Sequence, residues 1–335
     1  MAIKTKNILV TGSAGYLGSP FCFDLLKMGH KVIGIDNYIN SDKTNTNLLK
    51  EHFVNNFTFY KLNLAEDKNE LDKIFSKHSP DIVVHFAALK SIIDSEKDPD
   101  LYWRNNIQST KNILILMSKY DCFKIIFSSS AAVYGNQDIC PIKENAILNP
   151  TSVYAKTKIE CEDLIKNACL NLGIDGISLR YFNPIGFHSS KLFKEELNNN
   201  NRSILNEIIK SSIDENYVLK IFGEDYSTED GTCERDFIHI EDLLDAHEKS
   251  IGYIKKFSGY DVFNVGTGRS VSIKNLIDSF TKYNQINLKY EFSKKRCGDV
   301  ESSYADVSKI NNKLQWESKK TLEDMVKDSW KAYVA

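Results

Sequence analysis

The 335-residue chain lacks most features that would force a special architecture on it. Its seven cysteines, at 22, 122, 140, 161, 169, 233 and 297, are odd in number and include no Cys-x-x-Cys pair. Neither a disulfide framework nor a zinc ribbon is indicated, and buried structural thiols are expected. No segment reaches the apolar length of about 18 residues needed to span a bilayer. The N-terminus runs straight into a strand-like stretch without a signal-peptide pattern, so a soluble cytoplasmic protein is expected. Charge of one sign is also missing: 43 Lys+Arg stand against 45 Asp+Glu, a net charge of -2. That balance offers no global field for nucleic acid or an anionic membrane. Any anionic ligand must therefore be held by a few local cations. No metal site is expected, there is no internal repeat, and the one low-complexity tract is Asn198 to Asn201.

What is present is a rhythm. Residues 7–11, 31–35, 57–62, 81–86, 124–128 and 176–181 are short, nearly continuous apolar or β-branched runs, as strands buried on both faces should be. Helical patterns lie between them, among them 17–28, 71–77, 101–119 and 154–172. This alternation predicts an α/β protein with a Rossmann-like, doubly wound parallel sheet. Beyond about Asn183 the rhythm changes, and the stretch from Gly223 to Gly231 is rich in turn formers. A helix near 243–254 and a strand at 262–265 are expected to rejoin the sheet. Length favours two domains. We expect a cofactor domain of residues 1–183 with 237–267, and a smaller, non-contiguous α/β substrate domain of 184–236 with 268–335.

The first strand leads into Thr11-Gly12-Ser13-Ala14-Gly15-Tyr16-Leu17-Gly18, which opens the first helix. Glycines at 12, 15 and 18 permit a tight turn and close approach of backbone to a pyrophosphate seated on the helix N-terminus. Asp36 ends the second strand 24 residues beyond Gly12, where a carboxylate can accept hydrogen bonds from adenosine ribose hydroxyls. It also repels a 2'-phosphate, so NAD is expected rather than NADP.

Tyr154 and Lys158 form Tyr-x-x-x-Lys at the start of a helical pattern, on one face by their i, i+4 spacing. A tyrosine of ordinary pKa near 10 is a poor base at neutral pH, but an adjacent ammonium favours its phenolate. The pair then suits proton exchange with an alcohol or sugar hydroxyl. Ser128-Ser129-Ser130 end the fifth strand, the side on which open α/β sheets bind ligands. Ser130 either shares the substrate oxygen with Tyr154 or merely caps the following turn.

These three motifs together resemble the extended short-chain dehydrogenases/reductases, and in detail the UDP-glucose (UDP-galactose) 4-epimerase family. The likeness runs nearly end to end. It is carried by DNYINS from Asp36, HFAALK from His85, SSSAAVYG from Ser128, LRYFNPIG from Leu179, FNVGTG from Phe263 and RCGDV from Arg296. Its most specific stretch is IFGEDYSTEDGTCERDFIHIEDL from Ile221 to Leu243.

The resemblance implies that Gly12, Gly15, Tyr16, Leu17, Gly18, Asp36, Asn37, Asn40, Ser41, Asn63 and Leu64 bind the phosphates and adenosine of NAD. Phe86, Ala87, Ala88, Lys90, Asn106, Ser128 and Tyr181, with Tyr154 and Lys158, would line the rest of it. The catalytic group would be Ser130, Tyr154 and Lys158. A UDP-sugar would meet Lys90, Phe182 and Asn183, with Phe222 on uracil, Arg235 and Arg296 on the phosphates, Asp299 near the ribose and Ser303 near the sugar. The implied reaction inverts C4 of a UDP-hexose by transient oxidation, in a homodimer whose 101–119 and 154–172 helices form a four-helix bundle.

Departures from the family pattern sharpen these expectations. Asn63 stands in place of an aspartate, Ala132 in place of a threonine, and Pro20 in place of a histidine. The Asn-Asn-Leu-x-Pro segment on the diphosphate is replaced by Asn200-Asn201-Arg202-Ser203-Ile204-Leu205-Asn206, where Arg202 can substitute. Ser303 precedes Tyr304-Ala305-Asp306 where a large aromatic would exclude N-acetyl groups, so UDP-GlcNAc and UDP-GalNAc are expected as additional substrates. An epimerase of UDP-pentoses, or of N-acetylhexosamines alone, is the nearest alternative. A 4,6-dehydratase is disfavoured because Ser130-Ala131-Ala132 carries no acid where that chemistry needs two. A non-catalytic NAD-binding regulator is disfavoured by retention of Ser130, Tyr154 and Lys158.

Overall fold

The computed structural model describes residues 5–193, 203–296 and 299–334. Six strands appear where the apolar runs predict them: β1 (Asn7–Thr11), β2 (Lys31–Asp36), β3 (Phe57–Lys61), β4 (Ile82–His85), β5 (Lys124–Ser130) and β6 (Asp175–Tyr181). With Tyr260–Val265 they form a seven-stranded sheet, in the order Tyr260–Val265, β6, β5, β4, β1, β2, β3. The pairs β1 with β2, β1 with β4, β2 with β3 and β4 with β5 are all parallel. The order reverses direction at the junction of β1 and β4, and a doubly wound sheet receives ligands beyond the C-terminal strand ends at such a point.

The helices that accompany these strands are α1 (Gly18–Lys27), α2 (Lys43–His52), α3 (Lys68–His78), α4 (Ile92–Lys97), α5 (Pro99–Tyr102), α6 (Gln108–Lys119) and α7 (Val153–Leu172). Pro20 sits buried in the first turn of α1, where a missing N–H costs nothing. The expected single helix over 101–119 is broken: a π-helical turn, Trp103–Ile107, separates α5 from α6. Such turns mark functional positions, and here the turn presents the buried Asn106 inward. α7 is capped by Ser152, whose Oγ accepts from Ala155 N at 3.2 Å, and ends at Gly173 with φ of 67°.

The chain divides into two compact units. One comprises Met1–Val133, Pro150–Arg180 and His247–Phe263, the other Tyr134–Asn149, Tyr181–Ala246 and Asn264–Ala335. Segments 134–149, 181–183, 237–246 and 264–267, grouped with the cofactor domain on sequence, thus pack with the second unit. Their bonding explains this. Phe237–His239 pairs with Asn183–Ile185 in a separate small sheet, and the buried Asp236 carboxylate accepts from Thr267 N, Gly268 N and Ala305 N.

The first unit is held by a core of Leu9, Ile33, Ile35, Val83, Ile113, Met117, Ile125, Phe127 and Ile165 among others. The second has its own, built on Ile208, Ile209, Leu219, Ile221, Phe237, Leu276, Phe280 and Val326. Among the described residues no helix is long and apolar enough to cross a membrane, and no cluster of His, Cys, Asp and Glu could hold a metal ion.

Candidate functional site

In the first unit, the glycine turn is tight where β1 meets α1. Gly12 has φ of 69°, and a Cβ there would lie 2.9 Å from Ala87 N. A Cβ on Gly18 would lie 2.0 Å from the Gly12 carbonyl oxygen. No other residue fits that position without moving the turn. Gly15 N donates to Gly12 O at 3.1 Å. The turn is braced from β4, because Thr11 Oγ1 accepts from Ala87 N at 3.2 Å and Phe86 N donates to Thr11 O. Tyr16 and Leu17 are half-buried between the second and third glycines.

Asp36 organises the second wall. One carboxylate oxygen accepts from Ala14 N at 3.0 Å, and the other from Tyr38 N at 2.8 Å and Ser41 Oγ at 3.2 Å. The carboxylate therefore ties the glycine turn to the β2 loop. Its Oδ2 takes one of these bonds and so keeps a lone pair for a ribose hydroxyl. Asn37 Oδ1 accepts from Ile39 N, while Asn40 is exposed. Asn63 caps its own turn, its Oδ1 accepting from Ala65 N, beside the buried Leu64.

Asn106 is anchored on two sides. Its amide exchanges bonds with both Leu89 N (2.8 Å) and Leu89 O (3.2 Å) and donates to Thr157 Oγ1 (3.0 Å). The segment Phe86-Ala87-Ala88-Leu89-Lys90 is thereby held to α7. Phe86 packs on Phe21 and on the His247 ring, at centroid distances of 5.6 and 4.7 Å. Lys90 is exposed, its Nζ 6.0 Å from the Tyr16 ring centroid.

Lys158 and Tyr154 lie together in this unit, with Ser130 at the end of the strand whose Ser128 carbonyl holds Lys158. Lys158 is 3% exposed, and its Nζ donates to Ser128 O at 2.7 Å. It stands 5.8 Å from the Tyr154 ring centroid and 4.7 Å from that of Phe127. Burial lowers the Lys158 pKa to about 8, against an upward pull from Cys161 and Glu162. Tyr154 packs among Leu89, Tyr102 and Ala132, and its N–H donates to Ser95 Oγ. Ser130 Oγ accepts from Ala132 N at 3.2 Å. The serine thus does cap the turn, and as an acceptor there it still carries its own hydrogen for a substrate oxygen.

The second unit holds the remaining candidates. Arg235 Nη1 donates to Glu234 O (2.7 Å) and Val300 O (2.9 Å), and Nη2 pairs with Asp299 at 3.4 Å. The guanidinium is fixed by these bonds with part of its fork still outward. The exposed Arg296 lies over the Phe222 ring, 3.8 Å from its centroid. That contact covers one of the two faces expected to receive uracil. Ser303 is half-buried in a two-residue strand paired with Arg235, and its carbonyl accepts from Asp236 N. Phe182 is buried, its N–H donating to Val265 O; Tyr181 is half-buried, and Asn183 is exposed at the start of its strand. Arg202, with Asn200 and Asn201, lies outside the described residues.

Sequence reasoning missed several polar residues. His85 bonds Thr11 Oγ1 through Nδ1 (2.7 Å) and Thr110 Oγ1 through Nε2 (3.1 Å), and burial lowers its pKa to about 3, so it is neutral. Glu162 and Arg180 form a buried ion pair behind Lys158. Tyr226 Oη is buried without a partner in the second unit. Glu162 had a visible signal, since it lies four residues beyond Lys158 on the same helix face.

Sheet order, glycine turn and the Ser-Tyr-Lys group define a dinucleotide-binding protein of the short-chain dehydrogenase kind. Residues 8–266 match the NAD dependent epimerase/dehydratase family, and the chain belongs to it. It is 36% identical over 325 residues to a UDP-glucose 4-epimerase of Bacillus subtilis, covering 97% of this chain and 96% of that one. Among solved structures it resembles a UDP-glucose-4-epimerase from Stenotrophomonas maltophila with bound NAD and formylated UDP-arabinopyranose. That match has a TM-score of 0.93 and 33% identity over 98% of this chain and 97% of the other. A UDP-Glc/GlcNAc 4-epimerase from Campylobacter jejuni matches with a TM-score of 0.86 and 31% identity over 98% of each chain.

Proposed function

We propose that the chain is an NAD-dependent 4-epimerase of UDP-hexoses, interconverting UDP-glucose with UDP-galactose and also UDP-GlcNAc with UDP-GalNAc. The observation that carries this reading is the buried Lys158 ammonium on Ser128 O, with Tyr154 one helical turn before it and Ser130 at the same strand end. The full-length likeness to UDP-glucose 4-epimerases supports it.

The residues present fit NAD. The Gly12 and Gly18 cradle admits a pyrophosphate at the α1 N-terminus, and the Asp36 carboxylate suits a ribose hydroxyl while opposing a 2'-phosphate. When bound there, NAD would supply the hydride acceptor for sugar C4 and the hydride donor for its return. Tyr154, as phenolate, takes the 4-hydroxyl proton and later returns it. Lys158 holds the phenolate down in pKa by its charge, and Ser130 donates to the same oxygen. Arg235 and Arg296 bind the diphosphate while the sugar, momentarily a ketone, turns its other face. Phe222 stacks uracil and Asp299 receives a ribose hydroxyl. The small side chain at Ser303 leaves space for a C2 N-acetyl group.

The protein is proposed to be a cytoplasmic homodimer joined through α6 and α7, which carry the exposed Ile115, Leu170 and Leu172. Light scattering at the mass of one chain would remove the dimer. The central test incubates the purified protein separately with UDP-glucose, UDP-GlcNAc and UDP-xylose and reads the products by NMR. Formation of UDP-galactose and UDP-GalNAc is expected. Absence of any 4-epimer refutes the assignment, and a 4-epimer from the pentose alone reassigns the substrate.

A further inference from the structure

Behind the catalytic group, three elements converge on one carboxylate. Glu162 lies one turn beyond Lys158 on α7 and is 4% exposed. It accepts from Ser129 Oγ on β5 at 2.5 Å, from Arg180 Nε on β6 at 2.9 Å, and from Arg180 Nη2 at 2.5 Å. Ser129 sits between Ser128, whose carbonyl receives Lys158 Nζ, and Ser130. A displacement of Glu162 would therefore be felt at all three catalytic candidates.

Stability alone does not explain the arrangement. Taking two charges out of water costs several kcal/mol, and apolar residues of similar volume often do as well or better. The groups facing Lys158 narrow the explanation. On β4, His85 is neutral and has both ring nitrogens engaged. On α7, Cys161 has its thiol pushed up to about 11, and Tyr154 precedes by one turn. On β5, Lys158 meets the Ser128 carbonyl and the Phe127 ring. On β6, Arg180 is turned into Glu162. Glu162 is the carboxylate among these groups, and Arg180 holds it in place.

We propose that Glu162, held by Arg180, is a positioning residue: it clamps Tyr154 and Lys158 against the Ser129–Ser130 strand end and supplies the negative charge facing the Lys158 ammonium. This rests on the reading of Tyr154 and Lys158 as the proton-handling pair.

The test uses the full-length protein with NAD and UDP-glucose. Ser129→Ala keeps the ion pair but cuts its tie to β5, and misplacement of this kind lowers turnover. A fall in kcat of about tenfold is expected, with KM, NAD content and the pH profile unchanged. Glu162→Gln should move the alkaline limb of kcat to lower pH by about one unit, because the ammonium loses its facing charge. That variant leaves a buried guanidinium unpaired and risks unfolding, so the neutral double variant Glu162→Gln/Arg180→Met is measured beside it. It should show the same direction of shift, and Glu162→Asp should restore the wild-type limb in part. An Ser129→Ala kcat within twofold of wild type, or an unmoved limb in the double variant, overturns the proposal. Tyr154→Phe is the control: if it still epimerises, the underlying reading fails, whatever the Ser129 and Glu162 variants do.

Discussion

The proposed proton-handling groups of the first unit and the proposed phosphate-binding arginines of the second stand in opposite surroundings. In the first, Lys158 is buried on Ser128 O, Glu162 on Arg180 and His85 between two threonines. In the second, Arg235 is fixed but partly accessible, and Arg296 is exposed and laid on an aromatic ring. Burial makes an electrostatic interaction strong and unforgiving, whereas exposure leaves it screened and adaptable. Chemistry should therefore be lost by substitutions in the first unit, and affinity by substitutions in the second.

The sharpest break of that comparison is Tyr154→Phe. Removing the oxygen proposed to handle the proton should lower kcat on UDP-glucose by about three orders of magnitude, near the usual contribution of general acid–base catalysis. NAD content after purification should be unchanged. Retained turnover would move the chemistry elsewhere.

Next in size is the pH response of Lys158. Its folded pKa of about 8 lies below the ordinary 10.5 because burial disfavours the ammonium. The charge proposed to support the Tyr154 phenolate is thus lost as pH rises through about 8, and kcat should fall about a hundredfold by pH 10. Stability runs the other way: between about pH 8 and 10.5 the unfolded chain binds the extra proton, so this group's contribution to stability rises with pH. A flat kcat profile to pH 10 would mean the ammonium is not needed.

In the second unit, Arg235→Met should raise the KM for UDP-glucose by about thirtyfold, the scale of one or two charge-assisted hydrogen bonds. The kcat should change little. If kcat falls instead, the division of labour between the units is wrong.

How much of this was legible in the sequence depended on whether a residue's role is local. The sheet was readable because strands buried on both faces are continuous apolar runs, and Gly12 and Gly18 because their turn is contiguous. The break at Trp103–Ile107 was not readable, because it is set by Asn106 reaching Leu89 and Thr157, contacts 17 and 51 residues away in the chain. The same holds for Glu162: its spacing from Lys158 was visible, but Arg180 and Ser129 converge on it only through sheet order. In the second unit, Arg235 was found by type and motif, yet its pairing with Asp299 across 64 residues gave no local signal. Local motifs exposed the groups proposed to touch ligand; the groups that hold them in place were set by topology.

The smallest expected effect tests specificity within the second unit. Ser303 is half-buried, its carbonyl taken by Asp236 N and its strand paired to Arg235. The backbone there is fixed, so only the side chain's volume is free to vary. Ser303→Tyr fills space without removing a charge. It should lower kcat/KM for UDP-GlcNAc about tenfold relative to UDP-glucose, within the range that shape alone discriminates. The ratio of the two substrates cancels any general damage to folding. An unchanged ratio would show that Ser303 does not border the sugar C2 group, and would confine the second unit's role to the nucleotide.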